Sequence, residues 1–221
     1  KMNLNHVEAT VLVQKLAWTL PDTQYDASKS ECAVIVPFTD LRTVQTLIEG
    51  DKLPLQFGAQ DVSTQASGAY TGEISADMLA KLHCDYVVVG HSERRDYHAE
   101  TDEIINEKAK VVLAAGMTPI ICCGEGLDIR KAGEQVSYTL AQVDGAFEGI
   151  SAEDAAKVVI AARATGEGPA NDDGKARNQK ITWSGLDRND SSWNNPSVFG
   201  VMEVVRTDAQ PVEPVRGRQS A

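Results

Sequence analysis

DYVVVGHSERR, at residues 85–95, joins a short apolar run to a glycine, a histidine and a charged stretch that is able to start a helix. The run at residues 86–89 is typical of a buried parallel strand, which would place His91 just beyond the strand's carboxyl end. α/β proteins hold ligands and catalytic groups at that end of a parallel sheet. A helix beginning at Ser92, or just after it, would direct its N–H groups at the imidazole and favour the neutral ring. The pattern predicts a histidine that donates a hydrogen bond to a carbonyl; the alternative is an ordinary surface-loop histidine.

Four other apolar, β-branched runs accompany this one, and helix-like segments separate them. The five runs are residues 32–36, 53–57, 86–89, 120–123 and 158–161. Apolar side chains recur at helical spacing over residues 6–20, 101–115 and 129–147. Ser151 is a start signal for a short helix before the fifth run. This alternation predicts an α/β protein with a parallel sheet, either doubly wound or closed into a barrel.

Composition narrows the class of function. The net charge of −11 over 221 residues, with no basic stripe, disfavours nucleic-acid binding. The longest apolar runs are too short to cross a membrane, and we find no signal pattern, so we expect a soluble, cytoplasmic protein. The four cysteines have no metal-ligand spacing, and we predict buried, reduced thiols and no metal site.

Seven motifs follow one another in an order that resembles the triosephosphate isomerase family. They are KMNLN from Lys1, PFTDL from Pro37, GAQD from Gly58, GAYTGE from Gly68, VVVGHSERR from Val87, TPIICCGE from Thr118 and VVIA from Val158. The resemblance covers residues 1–161 and implies a (β/α)8 TIM barrel. It also implies interconversion of dihydroxyacetone phosphate and glyceraldehyde 3-phosphate through an enediol, without metal or organic cofactor.

The resemblance assigns roles to individual residues. It implies that Lys1 stabilises the negative charge of the substrate and enediolate, and that a neutral His91 polarises the carbonyl, as described for this family. Glu93 is implied as a supporting acidic neighbour of the site, and Arg94 as a partner in structural ion pairs. Ser92 is expected to cap the helix or to donate from its first turn.

A second set of residues is implied to form a subunit contact. Tyr70, Thr71 and Gly72 belong to the loop with which this family forms homodimers, and Thr71 would reach the partner's active site. An ordinary turn is the alternative, because glycines and small polar residues form turns in any protein.

The chain departs from the family pattern in three ways. It starts at the lysine of the family's N-W-K, so we expect the first strand to be missing. Arg163 occupies the position of the catalytic glutamate, and a guanidinium cannot accept a proton at neutral pH. The glycine-rich phosphate grip of the last two βα units has no counterpart.

These departures divide the chain into two parts. We predict an incomplete barrel domain at residues 1–161 and a loop-rich tail at residues 162–221, in which residues 198–205 are the only strand-like stretch. The tail is either a frame-shift artefact or a genuine divergent segment. From the resemblance we expect an isomerase. Because the catalytic glutamate is missing from this sequence, we expect this chain itself to be inactive. The alternatives are a non-catalytic phosphate-binding α/β module and, less favoured without a G-x-G-x-x-G, a nucleotide-binding doubly wound fold.

Overall fold

A curled parallel sheet forms the centre of the computed structural model, which describes residues 1–23, 25–26, 28, 30–163, 180–181 and 201–205. The five parallel strands pair in chain order: β1 Ser30–Val36, β2 Gln56–Ala59, β3 Tyr86–Val89, β4 Thr118–Gly124 and β5 Val159–Arg163. Each corresponds to one of the five predicted runs. The second begins three residues later than predicted, which keeps Pro54, a residue that cannot donate to a strand ladder, outside it.

Helices connect the strands. They are α1 His6–Thr19, α2 Phe38–Asp51, α3 Ala76–Lys81, α4 Ser92–His98, α5 Asp102–Ala114, α6 Leu127–Lys131, α7 Gln135–Ala146 and α8 Ala152–Ala155, with a 3-10 turn at Leu20–Thr23. The predicted helix at residues 129–147 is two helices, because Gly133 adopts a φ of +77° between α6 and α7. The short helix after Ser151 is confirmed, and the Ser151 hydroxyl accepts from the Asp154 N–H at 3.1 Å.

Alternate strand residues face opposite sides of the sheet. On the outer side, Val34, Val87 and Ile121 belong to a large core that also contains the buried faces of α1, α2 and α5. On the inner side, a second core contains five buried residues: Ala33, Ile35, Tyr86, Val88 and Ile120. A sheet that buries apolar side chains on both faces, with helices on the outer one, is a half-barrel, as an incomplete (β/α)8 fold requires.

Two further strands extend the sheet. β6, Lys180–Ile181, pairs antiparallel with β5, and β7, Val201–Val205, pairs antiparallel with β1. Strand β7 lies inside the strand-like stretch predicted at residues 198–205. The prediction of a loop-rich tail for the rest of residues 164–221 lies outside the described residues. Within the part of the chain that the structure describes, no helix has the length and apolar character needed to cross a bilayer.

Candidate active site at the carboxyl ends of the strands

His91 lies where the sequence predicted it, just past the carboxyl end of β3, with only Gly90 between the strand and the histidine. Gly90 turns the chain with a φ of +72°, and His91 is then the N-cap residue of α4. The predicted helix start at Ser92 is confirmed. Because His91 itself provides the cap, Ser92 is the first residue of the helix rather than its cap.

A backbone hydrogen bond sets the chemical state of the imidazole. The Glu93 N–H donates to Nδ1 of His91 over 3.2 Å. A nitrogen that accepts a hydrogen bond carries no proton, so the ring proton of the neutral imidazole is on Nε2. The first turn of α4 also presents the positive end of its dipole to the ring. Nε2–H is therefore the atom with which His91 can donate to a carbonyl.

Glu93 brings Lys1 and His91 together. Its Oε1 accepts from the Lys1 Nζ, and its Oε2 lies 3.7 Å from His91 Nδ1. The three side chains are between 31% and 45% exposed, so a ligand can reach them. The hydrogen bond from Lys1 holds the pKa of Glu93 below its usual value, which keeps this carboxylate ionised at neutral pH. The arrangement places the Lys1 ammonium and the His91 imidazole on either side of one carboxylate.

The neighbouring strand end, after β4, is polar but contains no activated nucleophile. Glu125, whose side chain is 3% exposed, accepts from Arg130 Nε at 2.7 Å. Burial raises the pKa of the Cys122 thiol to about 12, so it is not a thiolate at neutral pH. Arg163 ends β5, and its backbone is paired with Gly124 at the same end of the sheet.

Tyr70, Thr71 and Gly72 lie in a separate exposed loop between β2 and α3. The Tyr70 N–H donates to Gly68 O at 2.9 Å, and the Glu73 N–H donates to Tyr70 O at 3.0 Å. Two tight turns thus form the tip of this loop. The described residues contain no group of three or more His, Cys, Asp or Glu side chains arranged to hold a metal ion.

Sequence reasoning anticipated that Arg94 pairs with acids but missed the network to which it belongs. Arg94 binds Glu100 through Nε at 2.6 Å and Asp61 through a terminal nitrogen at 2.9 Å. Lys108 binds the same two carboxylates, each at 2.6 Å. One signal was present in the sequence: Lys108 interrupts the apolar stripe of the helix at residues 101–115, as a buried, paired lysine would.

The fold and the site define the class: this is an incomplete α/β barrel with a histidine and a lysine at the carboxyl rim of its sheet. The family model described as triosephosphate isomerase matches residues 1–169, so the chain belongs to the triosephosphate isomerase family. This match extends eight residues beyond the segment that the motifs predicted.

Curated relatives agree with this placement. The chain is 62% identical over 161 residues to the triosephosphate isomerase of Streptomyces coelicolor, an alignment that covers 73% of this chain and 62% of that protein. It is 56% identical over 186 residues to that of Cutibacterium acnes, covering 82% and 72%. It is 62% identical over 161 residues to the triosephosphate isomerase of Nocardia farcinica, an alignment that covers 73% of this chain and 61% of that protein. The chain therefore spans about three fifths of the length of most of these relatives.

Proposed function

We propose that this site serves the interconversion of dihydroxyacetone phosphate and glyceraldehyde 3-phosphate through an enediol, a step of glycolysis and gluconeogenesis. The observation that carries the proposal is the hydrogen bond from Glu93 N–H to His91 Nδ1, because it leaves the ring proton on Nε2 at the rim. Family membership and relatives named triosephosphate isomerase support it.

Each residue has a defined part in this proposal. Loss of a proton from the carbon beside the carbonyl turns the carbonyl oxygen into a developing oxyanion. The Nε2–H of His91 donates to that oxygen and can then carry a proton between the two substrate oxygens. The Lys1 ammonium stabilises the same negative charge and that of the phosphate, and Glu93 orients Lys1.

The carboxylate that would remove the carbon-bound proton has no counterpart at position 163, where the chain has arginine. Loss of a general base costs about 10² to 10⁴ in rate. We therefore propose that the chain as written turns over slowly if at all. A non-catalytic phosphate-binding module is the second candidate, and Arg163 is the observation that favours it.

A coupled assay with glyceraldehyde 3-phosphate separates these possibilities. We expect kcat/KM to be about 10² or more below that of the Streptomyces coelicolor relative, and His91→Gln to remove what activity remains. Turnover equal to that relative would refute our interpretation of Arg163. Residual activity that is unchanged in His91→Gln would refute the role of His91. No activity in the native chain or in His91→Gln would favour the binding module.

We propose that the chain forms a homodimer through the loop that contains Tyr70, Thr71 and Gly72. Its exposed tip, with Tyr70 48% exposed, supports this. We also propose a cytoplasmic location, supported by the four cysteines, which are all free thiols.

We further propose that residues 1–161 form an incomplete barrel domain and that the departure after residue 161 arises from a shift in the reading frame. The break between VVIA and the following ARATGEG supports this. The coding DNA around residue 162, translated in all frames, tests the proposal. Recovery of A-Y-E-P in a neighbouring frame is expected, whereas an unbroken open frame with no such segment would show a genuine divergent tail.

A further inference from the structure

Helix α4 holds the His91 hydrogen bond in place, yet it contains no buried residue. A helix of seven residues is unstable alone, and apolar packing normally fixes its orientation. α4 lacks that packing. Its position must therefore come from polar contacts, and two arginines supply them.

Arg95 ties α4 to the strand ends. Its Nε donates to Gly90 O at 2.9 Å, and its two terminal nitrogens bind Asp102 Oδ1 at 2.5 Å and Cys122 O at 3.3 Å. These three contacts tie α4 to the residue after β3, to β4 and to the first turn of α5.

Arg94 supplies the second anchor, on buried partners. It binds Asp61, in the loop after β2, and Glu100, in the turn before α5. Lys108 of α5 binds both carboxylates, and the side chains of Asp61, Glu100 and Lys108 are 12%, 5% and 7% exposed. Two cations and two anions cancel in charge, and three of the four groups are largely withdrawn from water, where such contacts are strong and geometrically strict.

We propose that Arg94 is a positioning residue for His91: by bridging Asp61 and Glu100, it fixes α4 so that the Glu93 N–H meets Nδ1 of His91. The guanidinium suits this task because its planar fork binds two carboxylates at once in one orientation. The importance of Arg94 for catalysis rests on the function proposed above. The effect of Arg94 on the His91 imidazole is independent of that function.

The test uses the full chain, labelled with ¹⁵N-histidine, and records ring nitrogen shifts at neutral pH, with His91 assigned through His91→Gln. In the native chain we expect an unprotonated Nδ1 and a protonated Nε2. In Arg94→Met we expect the shift difference between the two nitrogens to shrink as the two tautomers mix. If Arg94→Met is insoluble, Arg94→Lys is measured instead, because it keeps the charge but binds one carboxylate at a time.

Two controls separate positioning from general effects. Lys110→Met makes the same charge change on an exposed side chain of α5. Val44→Ala removes buried volume from α2 and lowers the melting temperature without touching α4. A change confined to the Arg94 variants supports the proposal. Unchanged His91 shifts in those variants overturn it, and so does an equal change in Val44→Ala, whatever the isomerase assay shows.

Discussion

The residue before the histidine has a backbone conformation that only glycine adopts easily. Gly90 has a φ of +72°, and a Cβ added there would lie 2.9 Å from Ile105 Cδ1 and 3.2 Å from Cys122 O. An alanine must therefore strain the backbone and push against α5. Since Gly90 leads directly into the cap of α4, that strain reaches His91.

We predict that Gly90→Ala lowers the free energy of unfolding by about 1 to 3 kcal/mol. It should also weaken the Glu93 N–H to His91 bond, which is detectable in the same histidine spectra. Gly50→Ala is the matched control: Gly50 lies within α2 with no atom within 4 Å of the added Cβ, and alanine there should stabilise the helix by up to about 1 kcal/mol. Equal stability changes of the two variants in urea unfolding would contradict the prediction.

Buried thiols make a second residue-level prediction. Burial raises the pKa of Cys84 and of Cys122 to about 12. The folded state therefore disfavours both thiolates, so their contribution to stability is complete below about pH 9 and is lost as the pH rises towards 12. We expect neither thiol to react with Ellman's reagent at pH 8 while folded, and both to react in guanidinium chloride.

Labelling of the native chain, located by mass spectrometry, checks this prediction. Rapid modification of Cys84 or Cys122 at pH 8 would show that the thiol is exposed or ionised. The urea midpoint should fall from pH 9 upwards, and a midpoint that stays constant to pH 11 would contradict the linkage.

Site residues could be predicted where chemistry is local in sequence. His91, the helix after it and Glu93 belong to one segment, so a strand, a glycine and a helix start are enough to place them. Lys1 could be placed only through the family resemblance, since nothing near it indicates a partner. The network joins Asp61, in the loop after β2, to Arg94, Glu100 and Lys108, which lie in α4, α5 and the turn between them, and no spacing rule connects these charges before the fold is known.

Among the elements, α1 has the clearest start signal. The Asn5 side chain accepts from the Val7 and Glu8 N–H groups, at 3.0 and 3.1 Å, and Glu8 accepts in return from the Asn5 N–H at 3.0 Å. This reciprocal capping box satisfies donors that the first turn of a helix otherwise leaves unpaired.

We predict that Asn5→Ala lowers the free energy of unfolding by about 1 kcal/mol, because alanine cannot accept those hydrogen bonds. Urea unfolding measures the change. Glu8→Gln is the control, since glutamine keeps an acceptor for the Asn5 N–H, and it should cost clearly less. A loss in Glu8→Gln as large as in Asn5→Ala would indicate a charge effect on the helix rather than capping.

The ends of the strands and helices depend on proline and glycine residues, which the spacing of apolar side chains does not take into account. The apolar run at residues 53–57 and the strand Gln56–Ala59 differ because a proline shifts the start of pairing, while the run itself marks the strand correctly. The stripe at residues 129–147 continues across Gly133 in sequence, yet the chain turns there. The apolar periodicity predicted which segments are strands and which are helices. Single proline and glycine residues determine where these segments begin and end.

For the whole molecule, alternation of strands and helices predicted a parallel α/β sheet but left a doubly wound and a barrel arrangement open. The strand order β5-β4-β3-β2-β1, with every connection in one sequential direction, decides for the barrel. A doubly wound sheet reverses its order at a switch point. The distinction between the two arrangements depends on which strands lie next to each other. The local sequence pattern contains no information on that order.

We predict that Thr71→Arg shifts the chain from dimer towards monomer, because a long charged side chain at the loop tip cannot be buried in a close subunit contact without a partner. Sedimentation velocity at several concentrations measures the shift. Thr46→Arg, on the exposed side of α2, makes the same substitution away from the loop and should leave association unchanged. A monomeric native chain would refute the proposed dimer, and equal dissociation in both variants would refute the role of the loop.

The contact between Lys1 and Glu93 has a consequence for ligand discrimination. The ammonium is already neutralised by a carboxylate, so the local field around it is weaker than that of a bare cation. An incoming anion must compete with Glu93 for it. A monatomic, singly charged anion such as chloride gains only one contact from that exchange, whereas a ligand that also engages the imidazole gains from two donors at once. We therefore expect the resting ion pair to favour ligands that engage both Lys1 and His91 over simple inorganic anions.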